Sequence, residues 1–564
     1  MPFIGETLQV ATQTPTHTSD IHADFTRTPT EEFDIVVIGA GFGGLYALYR
    51  FRRLGLRLKG YETGSGPGGT WYWNRYPGAR VDLESMVYSY SFDEDLQQEW
   101  HWPEHFSPQE DLETYANHVA DRFGIREQIQ FDTTVTRLSF DEAENKWHVF
   151  TDRGDHAITR FVVAATGSLN ATNIPDFAGV ETFSGQWYHT SKWPKEGVDF
   201  TGKRVGIIGT GSSGIQVIPV VAQEAMHLTV FQRTANFSIP SRNRVLDPEY
   251  ERDYKANYPR YREMMKSTKT AAILQGQQYR SVFDVTDTER EQILNEAWRS
   301  RNGFRFMATF IDIRTSLAAN EVVAEFIRGK IRETVHNPEV AELLCPKTHP
   351  LGTKRLCLDS GYYETFNRDN VTLVDVRANP IQEITPTGLR TTAAEYELDA
   401  LIFATGFDAM TGSMTRMNIT GIGGVDLREK WQHGPTNYLG YSVAGFPNLF
   451  MIHGPGSPSV LAQMIMGAEF QVEWLCDLLE HATAHGYHRV DTTAEWEDSW
   501  GREVEAAAEA TLFKKADSWY LGANIPGKPR VFMVYIGGFD VYCGRCRDAS
   551  AAGYEGFVLT RLQG

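Results

Sequence analysis

The stretch DIVVIGAGFGGLYALYRFRRLGLRLKGYE, residues 34–62, decides the fold. Its opening DIVVI is an apolar run of the kind buried on both faces of a parallel sheet. GAGFGG follows at once, with Gly39, Gly41 and Gly44 at the GxGxxG spacing. Residues 45–54 then carry a helical pattern, and LRLKGYE reads as a second strand that ends on Glu62. Strand, glycine turn, helix and strand make a βαβ unit, whose glycines let the backbone approach a pyrophosphate at the helix N-terminus. Glu62, 23 residues after Gly39, is placed to accept hydrogen bonds from a ribose hydroxyl. The unit reads as an FAD adenosine site.

The same logic returns in RVGIIGTGSSG, residues 204–214, where Gly209, Gly211 and Gly214 surround Ser212. Its second strand, LTVFQR, ends in Arg233 and Thr234 instead of an acid. A cation and a hydroxyl there suit the 2′-phosphate that a carboxylate would repel, so NADPH is expected over NADH. Two such units in 564 residues predict an α/β protein with two Rossmann-like dinucleotide-binding domains, one for FAD and one for NADP.

Outward from these units, residues 1–30 are Thr- and Pro-rich and read as a flexible arm. FVVAATGSLN (161–170) and ALIFATGFD (400–408) are apolar strands ending in Ala-Thr-Gly, near which the chain is expected to cross between domains. The FAD domain is therefore expected over 31–170 and 405–564, and the NADP domain over 171–239 and 345–404. Residues 240–344 read as a helical insertion in the NADP domain, with helical patterning at 289–298 and 320–333.

A net charge of -18 argues against a nucleic-acid partner. No run of eighteen apolar residues and no basic-then-apolar N-terminal segment occurs, so a cytoplasmic protein without a membrane partner is expected. Five irregularly spaced cysteines suit a reducing compartment. Cys543 and Cys546 form a CxxC, but neither a second CxxC nor a nucleotide-domain helix accompanies it, so no metal site is expected.

Between the fingerprints lies FSGQWYHTSKWP, residues 183–194, in which Phe183, Gly185, His189, Trp193 and Pro194 match FxGxxxHxxxWP. Residues on their own terms would make this a packed linker. Upstream, GPGGTWYWNRYPGARVDLES (66–85) places Gly69, Trp71, Tyr76, Pro77, Gly78 and Asp82 as GxWxxxxYPGxxxD, a composition suited to a rigid loop against a flat ligand. Both patterns resemble the signatures of Baeyer-Villiger monooxygenases, HGPGSPSVLAQM (453–464) and DSWYLGANIPGKPRVFM (517–533) resemble the branch that oxidises phenylacetone and steroids, and the resemblance runs from about residue 33 to the end. It implies an enzyme that uses NADPH, FAD and O2 to convert ketones to esters or lactones through a C4a-peroxyflavin.

The resemblance also implies roles for residues that composition leaves ambiguous. Asp82 would stand beside the flavin ring, Lys354 would help Arg233 and Thr234 hold the 2′-phosphate, and Arg355 would lie over the flavin as the catalytic cation, oriented by Asp82. HGPGSPSVLAQM (453–464) would line the ketone pocket through Val460, Leu461, Ala462 and Met464, which implies bulky, cyclic or aryl ketones. Trp519, in DSWYLGANIPGKPRVFM (517–533), would touch NADP. His189 is expected to couple domain movement to cofactor binding, with a direct chemical role as the alternative. Competing readings are an N- or S-oxidising flavin monooxygenase, an NADPH-flavin reductase, and a noncatalytic dinucleotide sensor.

Overall fold

The computed structural model describes residues 30–272, 280–300 and 303–561. The arm expected over residues 1–30 lies outside them apart from Thr30. Glu31–Ile38 is the central strand of a first sheet, parallel to Leu58–Tyr61 on one side and to His156–Ala164 on the other, with Ile38 opposite both Tyr61 and Ala164. Ile35, Val36 and Val37 are wholly buried, and each contributes about 1.5–3 kcal/mol by leaving water. Ile129–Gln130 extends the sheet beyond Leu58–Tyr61, and antiparallel Lys146–Thr151 and Val135–Asp141 extend it the other way. Asn418–Thr420 and Leu449–Met451 join the same sheet from the far end of the sequence. The helix Met464–Ala484 also returns to it, because Glu473 accepts from both Tyr46 and Arg50 of the helix Phe42–Arg53, the latter at 2.6 Å.

The second sheet is parallel throughout, in the order Val371–Asp375, His227–Gln232, Arg204–Ile208, Ala400–Phe403, Gln186–His189. Its edge strand is the middle of FSGQWYHTSKWP, so part of the expected linker is regular structure. An edge needs one partner only, and Gln186–His189 finds it in Ala400–Phe403, with His189 opposite Phe403.

The two fingerprints pack alike. A Cβ on Gly39 would come within 2.6 Å of the carbonyl oxygen of Ala165, and one on Gly209 within 2.4 Å of that of Ala404. Each Ala-Thr-Gly return is thus pressed against the first glycine of its own fingerprint. Gly44 and Gly214 are pinned from behind, where an added Cβ would lie 1.9 and 2.3 Å from the carbonyls of Gly39 and Gly209. Helix and strand touch there, and no larger residue fits.

Helices follow the second fingerprint at Pro248–Ala256, Tyr258–Lys266, Asp287–Arg299, Leu317–Thr334 and Pro338–Leu344. They divide between two cores. Tyr254, Tyr258 and Met265 are buried with Tyr90 and Tyr115 of the first unit, whereas Leu294, Val323 and Ile327 pack with Ile218 and Val221 of the second. Cys543 and Cys546 lie on the helix Phe539–Ala551, both free and buried. Burial pushes the Cys543 thiol up to about 12 and raises that of Cys546 too, so both are inert side chains of the core.

Candidate functional site

Both fingerprints open onto one cleft of about 1850 Å³, larger than the ~300–1,000 Å³ of a single-ligand pocket. On its first side Gly39, Gly41 and Glu62 form the wall, with Gly44 behind them. Glu62 is buried, and its two carboxylate oxygens accept from the Ala40 and Gly64 N–H groups, each at 2.7 Å. Burial raises its pKa and those backbone donors pull it back. Trp73 and the Thr63 N–H also hydrogen-bond to Glu62, and together these donors fix its carboxylate at the end of the strand.

The glycine-tryptophan loop rests directly on this wall. Gly69 has φ +55°, and a Cβ there would stand 2.8 Å from the Gly41 Cα. Trp71 donates through Nε1 to the Tyr88 hydroxyl at 3.2 Å. Tyr76 reaches across the cleft and donates to Gln216 Oε1 at 2.8 Å, while Gln216 Nε2 donates to the Arg80 carbonyl at 3.0 Å. Gln216 belongs to the helix Ser212–Glu224, so the loop fastens the first unit to the second. Sequence reasoning missed this residue, although a lone polar side chain within IQVIPVVA was a signal.

Asp82, from the end of that loop, meets Arg355 in the cleft lining. Arg355 Nε donates to Asp82 Oδ2 at 3.1 Å, and its Nη1 donates to the Val460 carbonyl at 3.0 Å. Buried Tyr520, which sequence reasoning also missed, hydrogen-bonds to the same guanidinium. The two charged side chains are 16% and 27% exposed, and both line the cleft. Burial pushes the Asp82 carboxyl up against the opposing pull of Arg355. For Arg355 burial, the largest single effect, works downward, but Asp82, Tyr520 and Cys357 together outweigh it and the net shift is upward. Arg355 is therefore a fixed cation.

On the second side Gly209, Gly211 and Ser212 line the cleft, with the Ser212 hydroxyl 3.2 Å from the Cys357 sulfur. Thr210 donates to the Thr234 carbonyl at 2.9 Å and holds the turn that carries Arg233. Lys354 faces the same end of the cleft and donates to the Asp517 carbonyl at 2.6 Å. Burial lowers its pKa, and Arg233 adds repulsion. Among the described residues neither cation has a carboxylate within ion-pair distance. Two cations that repel each other at a rim are relieved by a bound anion, so this end fits a phosphate.

Val460, Ala462 and Met464 line the cleft next to Arg355, but Leu461 does not. Residues Ser459–Leu461 form a 3₁₀ turn, in which consecutive side chains point about 120° apart. Leu461 is half-buried and, like Val460, packs against the apolar cluster that holds Phe513 and Phe532. His453 Nε2 donates to the Met464 carbonyl at 2.8 Å and closes this segment on itself. Trp519 lines the cleft with its ring centre 4.1 Å from that of Tyr520.

His189 is 2% exposed and does not reach the cleft lining. Its Nδ1 accepts from the Ser191 N–H at 3.1 Å, which leaves the proton on Nε2, 3.2 Å from the Thr405 hydroxyl. Thr405 donates in turn to the Asn173 carbonyl at 2.6 Å. Nδ1 thus caps the turn Thr190–Lys192 that follows the edge strand, and Nε2 ties that strand to the second Ala-Thr-Gly turn. Burial lowers the His189 pKa to about 4, below the ~6.5 of an unfolded histidine. In that window the unfolded chain takes up the proton first, so the stability is complete above pH 6.5 and is lost as pH falls towards 4. The loss is roughly 3 kcal/mol at most for this group. His189→Gln is expected to flatten the acid limb of a plot of Tm against pH; an unchanged slope would contradict the burial of a neutral imidazole.

Residues 33–299 match the flavin-binding monooxygenase-like family. Over 545 residues, 96% of this chain and 99% of the relative, the sequence is 43% identical to a Baeyer-Villiger monooxygenase of Pseudooceanicola batsensis. The chain belongs to the Baeyer-Villiger monooxygenases. It resembles the structure of oxidised steroid monooxygenase bound to NADP with a TM-score of 0.89 and 47% identity, over 94% of this chain and 100% of that one. A phenazine N-monooxygenase of Lysobacter antibioticus is 41% identical over 93% of this chain and 97% of its own length. This Baeyer-Villiger monooxygenase is an oxidoreductase with FAD and NADP as cofactors, and it converts ketones to esters or lactones. Among the described residues no helix is long and apolar enough to cross a membrane.

Proposed function

We propose that this Baeyer-Villiger monooxygenase inserts oxygen from O2 into bulky, cyclic or aryl ketones, with Arg355 as its catalytic cation. The observation that carries this reading is the position of Arg355, bonded on one edge to Asp82 of the glycine-tryptophan loop and on another to the main chain at Val460. Residues 31–170 and 405–564 serve as the FAD domain, 171–239 and 345–404 as the NADP domain, and 240–344 as a helical insertion.

FAD, reduced by NADPH, supplies the oxygen-activating chemistry when bound. Gly39, Gly41 and Glu62 would hold its adenosine diphosphate portion, while Gly69, Trp71, Tyr76 and Asp82 would wall the region of its ring. Gly209, Gly211 and Ser212 receive the coenzyme pyrophosphate, and Arg233, Thr234 and Lys354 hold the 2′-phosphate. Trp519 covers the coenzyme. Arg355 stabilises the oxyanion that forms when the ketone carbonyl is attacked, and its donors need no reorganisation because Asp82, Val460 and Tyr520 already orient it. His189 acts by position alone. Five free, buried cysteines support a cytoplasmic setting.

The N-oxidising relative supports a second reading, in which a ring nitrogen or a thioether is the acceptor. That chemistry builds no oxyanion on a carbonyl and gives the Arg355 cation less to do. Product analysis on a panel of fused-ring, aryl and short acyclic ketones, with a thioether and an aromatic N-heterocycle, separates the two. Esters or lactones from the cyclic and aryl ketones are expected, at kcat/KM about tenfold or more above the acyclic ketone, the span that one or two methylenes can produce. N- or S-oxides as the sole products would contradict the proposal.

A further inference from the structure

We propose that Lys528 and Asp408 form a latch that holds the Trp519 segment closed over the coenzyme, and that this ion pair sets how long NADP stays bound. The proposal rests on the reading of the second side of the cleft as the NADP site.

Residues 517–530 contain two prolines and three short turns and contribute no strand to either sheet. Tyr520 and Leu521 are buried in an apolar cluster with Phe513 and Phe532, and the rest of the segment is held by polar contacts. At the near end the Asp517 carbonyl accepts from Lys354 at 2.6 Å. In the middle Asn524 Nδ2 donates to the Phe407 carbonyl at 2.7 Å. At the far end Lys528 Nζ donates to Asp408 Oδ1 at 2.6 Å and to the Ala409 carbonyl at 2.7 Å. The Lys528 and Asp408 side chains are only 11% and 20% exposed, so their attraction is weakly screened compared with a surface pair.

The place of the anchor matters as much as its strength. Phe407, Asp408 and Ala409 directly follow the Ala404-Thr405-Gly406 turn that presses on Gly209 of the second fingerprint. Lys528 therefore fastens the segment to the same turn that shapes the coenzyme site. Between the two anchors Trp519, Ala523 and Asn524 line the cleft. When the far anchor is lost, the closed arrangement becomes one of several, and the apparent affinity for anything beneath it falls by the fraction that stays closed. Lys528 and Asp408 are positioning residues, since neither is required to touch the reacting atoms.

The test is NADP+ binding to the purified, FAD-loaded protein, measured by calorimetry and by dissociation rate, for wild type, Lys528→Met, Asp408→Asn and the double variant. Each single variant is expected to raise the Kd about tenfold, mainly through faster dissociation, if the closed fraction falls to about a tenth. The double variant should be no worse than the weaker single one, because both remove one contact. Lys528→Arg keeps the charge and should restore most of the affinity. Chymotryptic cleavage within Trp519–Leu521 should be suppressed by NADP+ in wild type and much less in Lys528→Met, a readout independent of turnover. Wild-type affinity in both single variants, or fully additive losses in the double variant, would overturn the latch. Wild-type protein that binds no NADP+ would instead overturn the reading of the coenzyme site. Flavin content and Tm accompany each variant, and if Lys528→Met does not fold, Asp408→Asn and Lys528→Arg decide the matter.

Discussion

Arg355→Ala is expected to eliminate ester formation, by about a thousandfold or more, while leaving reduction of the flavin by NADPH measurable. Loss of a single preorganised oxyanion donor costs about 10²–10³ in rate, and Arg355 is a full charge already held in place by Asp82 and the Val460 carbonyl. The substitution has a second effect. Asp82 is buried and Arg355 supplies the interactions that lower its pKa, so without the guanidinium the carboxyl moves further up and ceases to be a dependable anion. Arg355→Lys is expected to recover little, since an ammonium cannot contact Asp82 and the Val460 carbonyl in one planar fork. Stopped-flow absorbance follows reduction, and chromatography of the product follows insertion. Ester at the wild-type rate from Arg355→Ala would remove Arg355 from the mechanism.

The second large effect concerns the coenzyme. Arg233→Asp is expected to reduce kcat/KM for NADPH by about a hundredfold or more, because it removes a charge-assisted partner of the 2′-phosphate and puts a like charge in its place. NADH has no phosphate at that position, so its kcat/KM should change by less than about fivefold. Lys354 remains beside the site in the variant and sets a floor to the loss. Steady-state kinetics with both coenzymes decide it: equal losses would contradict the assignment of this end of the cleft to the 2′-phosphate.

Much of this architecture was legible in the sequence because its signals are local. Each fingerprint lies within one strand-turn-helix, and its glycine spacing follows from contacts to its own backbone, such as Gly44 against Gly39. Glu62 and Arg233 were readable for the same reason, since each ends a strand of its own unit. The Asp82–Arg355 pair spans 273 residues; no local pattern joins its members, and only the likeness of two separate motifs to a known family did so. Tyr520, Gln216 and the Lys528–Asp408 pair were missed because their partners come from other parts of the fold. The apolar run around Leu461 does not reveal its turn type: Ser459–Leu461 is a 3₁₀ turn, and the half-buried Leu461 lies outside the cleft lining. The edge strand within FSGQWYHTSKWP was likewise hidden, since four residues take strand form there only when Ala400–Phe403 offers an edge.

The most direct test is isotopic. Purified, FAD-loaded protein is supplied with NADPH, a cyclic or aryl ketone and ¹⁸O2, and the product is analysed by mass spectrometry. An ester or lactone carrying one ¹⁸O atom beside the oxygen of the original carbonyl, formed by wild type and absent from Arg355→Ala, is the predicted result. Consumption of NADPH with release of labelled hydrogen peroxide and no oxygenated ketone product would contradict it.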